Sequence, residues 1–211
     1  MPLLLALLKQ LIGSQLDAAL STMNACVRQC PPGVWNARVG NLTFDQVAFH
    51  ALFYADYYLG PDEASFRGQP FHHEHAATFR DYEEFEDRVQ VAHYEAPFLV
   101  AYVHHCRAKA DEAIAAETEQ TLAGRCGFSR RPMSRAELYV YNTRHLQHHA
   151  ASACASASTP TSTPPGRRRL AGGVTSSMRR ALRRIKSSGG GWTPRRQGRQ
   201  GTAPRKTGKK F

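Results

Sequence analysis

Three of the ten histidines in this chain are spaced for joint work. His50 lies in FDQVAFHALFYADYYL, and His145 and His149 share LYVYNTRHLQHHA. Residues four apart on a helix share one face, with β-carbons about 6 Å apart. A third imidazole from a facing helix completes a three-nitrogen set that leaves one metal coordination position open. Neutral imidazoles suit Zn²⁺, Ni²⁺ or Fe²⁺. An ion so held lowers the pKa of bound water towards about 7, or binds and orients a thiolate. On spacing alone, His148 pairs with His145 as readily as His149 does. His50 by itself reads as an ordinary core or surface histidine. His104 and His105 are consecutive and point apart, and His72, His73 and His75 fall in a connecting stretch where they read as solvated. No general base is assigned, because Asp56 is six residues beyond His50 and points about 120° away on a helical wheel. Tyr54 and Tyr141 each stand four residues from a proposed ligand, either lining a pocket or packing in the core.

Four helices are needed to carry these residues. The first spans Leu3 to Cys30 and stops at Pro31-Pro32-Gly33, since proline cannot continue a helix. The second opens at Thr43, with Gln46 placed as a capping-box partner, and stops at Gly60-Pro61. The third begins at Ala96-Pro97 and runs to about Glu117, with Leu99, Val103, Cys106, Ala110 and Ile114 on one stripe. The fourth opens at Ser134 with Glu137 three residues on, and is expected to end at Ala150-Ala151. Between the second and third lies a polar stretch, Phe66 to Val91, with one helical turn near Asp81 to Asp87. Connections of that length inside a compact domain tend to be functional or mobile. Alternating β-branched runs are missing, so the pattern implies an all-α, up-down four-helix bundle.

Composition divides the chain. Residues 1–151 hold 13 Lys/Arg and all 17 Asp/Glu, net −4, while residues 152–211 hold 15 Lys/Arg and no acid, net +15. The sequence pI of about 9.8 is therefore an average that describes neither part. The first part is long enough for one domain with its own core. The second is Ser-, Thr-, Pro-, Gly- and Arg-rich, too poor in large apolar groups to offset its ordering entropy, and reads as disordered. The opening apolar run from Pro2 to Leu8 is too short to span a bilayer and lacks a signal-peptide pattern, so no transmembrane segment is expected. Five cysteines, at 26, 30, 106, 126 and 154, are odd in number and without a motif. They read as buried thiols of a cytoplasmic protein.

The histidine in VAFHALFYADYYL, the third-helix segment FLVAYVHHCRAKADEAI and the fourth-helix RHLQHHAA together resemble the DinB-like superfamily of four-helix bundles, across essentially all of residues 1–151. The resemblance implies that His50, His145 and His149 bind one divalent metal ion. Because the group includes thiol-dependent S-transferases, it also implies a low-molecular-weight thiol and a small-molecule substrate. A non-catalytic metal-binding bundle is the second reading, and a homodimer is compatible with either.

Related domains continue the fourth helix with apolar residues, whereas SACASASTPTSTPPG follows here. Reading GC-rich codons two bases along restores an apolar helical pattern, so residues from about Ser152 are expected to arise from a frameshift. The rival reading makes the tail a nucleic-acid binder, through MRRALRRIK and GGGWTPRRQGRQG. Fifteen positive charges would bind nucleic acid or an acidic membrane at low salt in either case.

Overall fold

A computed structural model of the protein describes residues 2–158. The tail and its nucleic-acid reading, and nearly all of the suspected frameshift, lie outside those residues. Four long helices form the body: α1 (Pro2–Gln29), α2 (Phe44–Leu59), α6 (Ala96–Ala116) and α8 (Arg135–Ser158). Between them come a two-residue-per-strand hairpin (Arg38–Val39 with Leu42–Thr43) and the short helices α3 (Glu63–Arg67), α4 (Pro70–Glu74), α5 (Ala76–Phe79) and α7 (Glu119–Ala123). The end signals act as expected. The Thr43 and Gln46 capping box opens α2, Pro97 lies in the first turn of α6, and Glu137 accepts hydrogen bonds from the Ser134 backbone and hydroxyl at the start of α8.

The four-helix bundle stands, but its helices do not strictly alternate. Lys9 reaches the Ala115 carbonyl while Arg107 pairs with Asp17, so α1 and α6 are antiparallel. Arg135 reaches Leu59 and Asn142 reaches Ala55, so α2 and α8 are antiparallel. The Tyr94 amide bonds Asp45 and Lys109 bonds Asp56, which makes α2 and α6 parallel. The order is therefore up, down, down, up, with α1 and α2 each packed on α6 and α8. Parallel neighbours require a long return path, and residues 60–95 supply it.

That crossover is more ordered than its polar composition implies. Phe66, Phe79, Tyr82 and Phe85 pack it onto the α2 aromatic face, with Phe53 to Phe66 and Phe53 to Phe85 both at 4.9 Å between centroids, while Phe71 stacks on Tyr102 and His105 of α6. His72, expected to be solvated, is only 2 % exposed. Its ring stacks on Phe79 at 3.7 Å and its Nε2 meets Asp56. Asp56 is fully buried and gathers Lys109 Nζ at 2.5 Å, the Tyr102 hydroxyl at 3.0 Å, Gln69 just before α4 and His72 within it. Burial alone would raise its pKa, but hydrogen bonds from His105 and His72 and the charge of Lys109 hold it well below the usual carboxylate range.

Two further expectations need correction. The fourth helix does not stop at Ala151 but continues to Ser158. Alanine, at 150, 151, 153 and 155, has the best helix propensity, and the Ser152 and Ser156 hydroxyls are satisfied on the carbonyls four residues earlier. Ala153 packs with Phe44 and Val47, giving this last stretch a tertiary anchor. Cys26 is not a thiol but is joined to Cys154 by a disulfide between α1 and α8, while Cys30, Cys106 and Cys126 are free. The 128-residue separation hid this pair.

Removing the negative charge of Asp56 leaves Lys109 facing a polar cavity without a counter-ion, the costly case for a buried pair. Asp56→Asn is expected to cost about 3–5 kcal/mol in a urea titration. A loss below about 1 kcal/mol would mean that water substitutes for the carboxylate.

Candidate metal centre

The histidine site is built by the register between α2 and α8. Arg135, in the first turn of α8, donates to the carbonyls of Tyr58, Leu59 and Gly60 at the end of α2, and pairs with Glu117 at the end of α6. The loop before α8 is seated against the same end. A β-carbon on Gly127 would lie 2.1 Å from the Pro61 carbonyl oxygen, so only glycine fits there. Two turns along α8, Asn142 Nδ2 donates to the Ala55 carbonyl. One further turn brings His145, then His149, opposite His50.

The three imidazoles meet. Ring centroids are 5.4 Å apart for His50 and His145, 4.7 Å for His50 and His149, and 4.5 Å for His145 and His149. One nitrogen from each ring lies within 4.8 Å of the others. This settles the choice left open by spacing: His149 faces the cluster, while His148 is exposed. His104 is exposed as well, and His105 bonds Gln69 and pairs with Asp56 on the far side of α2. Asp56 is thus remote from the cluster, as its wheel position implies.

The residue that spacing could not find is Glu84. Its side chain is 1 % exposed, and its Oε2 lies 2.6 Å from His50 Nδ1. Tyr54 donates its hydroxyl to the Glu84 backbone carbonyl at 2.9 Å. Glu84 is carried on a 3₁₀ turn, Glu83–Phe85, that starts from Tyr82 in the left-handed region at φ 49°. A bulky residue there stores strain and persists only where its surroundings over-determine it. The Tyr82 hydroxyl contacts His72 Nδ1 and donates to the Arg67 carbonyl, and the Arg67 guanidinium lies 4.3 Å over its ring. The acidic cluster of the crossover was the available sequence signal, but nothing in it marks which carboxylate turns inward.

A carboxylate on Nδ1 fixes a histidine's tautomer, orients its ring and raises its basicity, the arrangement common behind metal-ligating imidazoles. It leaves Nε2 of His50 as the nitrogen available to a cation. At His145, Nδ1 is buried without a hydrogen-bond partner among the described residues, which is costly for a polar atom that nothing else occupies. Burial, followed by His149 and His50, pushes His145 down to about 3. Burial and the charges of His50 and His148 push His149 down to about 4. Both therefore present lone pairs at neutral pH, which is the state a metal requires. Tyr54 lies against His50 and His145, at 4.9 and 5.5 Å, and Tyr141 stacks on His145, so both tyrosines wall the cluster. The donor set thus fits a divalent ion of the Zn²⁺, Ni²⁺ or Fe²⁺ type.

Compared with known proteins, residues 15–153 match the DinB superfamily. No curated protein and no solved structure matches the chain.

Folded-state pKa values below the ordinary 6.5 mean that the unfolded chain binds more protons at mildly acid pH. Stability of chelator-treated protein is therefore full above about 6.5 and falls steadily as pH drops towards 4 and 3. Urea midpoints at successive pH values check this. His145→Gln/His149→Gln is expected to flatten the slope, leaving the part due to buried His72, whose pKa is also lowered by burial.

Proposed function

We propose that this chain, which belongs to the DinB superfamily, holds one divalent metal ion on His50, His145 and His149 and uses it in a thiol-dependent transfer to a small electrophilic substrate. The observation that carries the reading is the convergence of three imidazoles, two of them kept neutral by burial and one of those with a buried nitrogen that has no hydrogen-bond partner among the described residues. His50 comes from α2 and the other two from α8, so the site exists only in the folded bundle. When bound, the ion supplies Lewis acidity and an open position at which a thiol loses its proton at neutral pH.

The chain's own residues set the terms. Glu84 holds His50 in the tautomer that presents Nε2, and its buried charge offsets part of the positive charge in the site. Three neutral imidazoles, one carboxylate and a divalent ion sum to +1, so an anionic thiolate is favoured over a neutral donor in the remaining position. His50 is 23 % exposed, which leaves an approach from solvent. Tyr54 and Tyr141 present aromatic walls on which an apolar electrophile can rest. Burial, then the charge of Glu84, raise Tyr54 to about 12, so it stays protonated and offers a hydrogen bond rather than a base.

Purified protein should contain about one equivalent of metal, and His145→Ala/His149→Ala none, by elemental analysis of folded samples. Glu84→Ala is expected to weaken metal affinity about 10- to 100-fold without abolishing it. Loaded protein should conjugate a low-molecular-weight thiol to an electrophile, with turnover lost in His149→Ala. One equivalent of metal without turnover across a thiol panel would leave a non-catalytic metal-binding bundle. A folded parent that takes up neither Zn²⁺ nor Ni²⁺ would reduce the three histidines to core residues.

A further inference from the structure

One arginine beside the histidine cluster has no acid to answer it. Arg67, Arg88, Arg107 and Arg135 each pair with a carboxylate. Arg131, in the loop before α8, is partly buried yet pairs with no acid among the described residues. Its Nε and Nη2 both donate to the Tyr58 hydroxyl, at 3.2 and 3.0 Å. That uses one edge of the guanidinium. The end-on edge, formed by Nη1 and the outer hydrogen of Nη2, has no partner among the described residues. Two parallel N–H groups on such an edge match the two oxygens of a carboxylate.

The fork is held in place before any ligand arrives. The Arg131 carbonyl accepts from the Cys126 thiol and the Met133 amide, and the Arg131 amide donates to the Phe128 carbonyl. A bridge between Arg125 and Ser134 closes the same loop. The guanidinium carbon lies 4.6 Å over the Tyr141 ring and 5.6 Å over that of Tyr58. Tyr141 is itself stacked on His145, with 6.2 Å between centroids. Arg131 therefore stands one aromatic ring away from a proposed ligand, and its positive charge reaches both His145 and Tyr54.

That placement works against a metal ion unless a second anion arrives with the thiolate. A divalent ion on three neutral imidazoles beside Glu84 leaves one net positive charge, and Arg131 makes two. Like charges near a partly buried site repel. A thiolate at the open position removes one of them and leaves the other at Arg131, along the Tyr141 wall. We infer that Arg131 is the specificity-determining residue of this site, and that the thiol it selects carries a carboxylate at the end away from its sulfur. The inference rests on the metal-centre reading given above. The thiol is favoured over the electrophile as bearer of the carboxylate, because the ion fixes its sulfur and a preorganised side chain can then select its other end.

Cobalt-loaded full-length protein tests this without turnover, because a thiolate bonded to Co²⁺ gives a near-ultraviolet charge-transfer band as its proton passes to the buffer. The titrants are 6-mercaptohexanoate and 6-mercaptohexan-1-ol at physiological salt, whose chains are too long to chelate the ion through their own oxygen. The acid is expected to bind at least about 10-fold more tightly than the alcohol. Arg131→Gln should bring the two within about threefold of each other, and should bind Co²⁺ without thiol at least as tightly as the parent, since a repelling charge is gone. Arg131→Lys keeps the charge and loses the fork, so its preference for the acid should fall at least about threefold. It carries the test should the glutamine variant lose its helical circular dichroism. Equal binding of acid and alcohol by the parent, or a preference unchanged in either variant, overturns the inference. So does an Arg131→Gln protein that loses Co²⁺ and both thiols alike, since Arg131 would then only prop the loop on Tyr58. A band with both thiols and no preference leaves the metal reading standing. No Co²⁺ uptake, or no band with either thiol, sinks that reading and this inference with it.

Discussion

The buried carboxylate of Asp56 is the point on which the rest of the molecule turns. It joins α2 to α6 through Lys109 and Tyr102, and both to the crossover through Gln69 and His72. Two parallel helices have no short connection to hold them in register, so long-range contacts must. A charge buried among four donors does this with directionality that apolar packing lacks, because a slip by one turn would strand Lys109 and the carboxylate alike. The crossover, once pinned, delivers Tyr82 and the turn that carries Glu84 to the other side of α2. The two faces of one helix are thereby linked: the Asp56 network on one side seats the carboxylate that orients His50 on the other.

A second clamp completes the site. Arg135 gathers the last carbonyls of α2 with Glu117 of α6, as a guanidinium with five donors can and a lysine cannot. It lies ten residues before His145, so the rigid rise of α8 converts its position into the height of both histidines. The Cys26–Cys154 disulfide holds the far end of the same helix against α1. Between these two ties, His145 and His149 have little freedom to drift from His50. Such a preformed site loses less on binding an ion than one assembled from mobile loops.

The two faces of α8 then divide the labour. One carries Asn142, His145 and His149 towards α2. The other turns Val140, Arg144 and Gln147 to a groove beside α1. Tyr141 stands between them, stacked on His145 and bordering the groove. The histidine cluster and the groove are therefore on separate surfaces of one helix.

Much of this was legible in the residues themselves. Helix limits followed from Thr43 and Gln46, Pro97, Ser134 and Glu137, because capping and proline geometry are local and need no tertiary context. The pair His145 and His149 followed from helical spacing, for the same reason. Which way the helices run, that Glu84 rather than another acid turns inward, that His72 is buried, that Cys26 finds Cys154, and that α8 continues past Ala151 were decided only by the tertiary structure. The first four depend on groups far apart in the chain, where packing and charge burial outweigh the local preferences that a sequence displays. α8, by contrast, runs on past Ala151 through alanine's own helix propensity together with the packing of Ala153 on Phe44 and Val47.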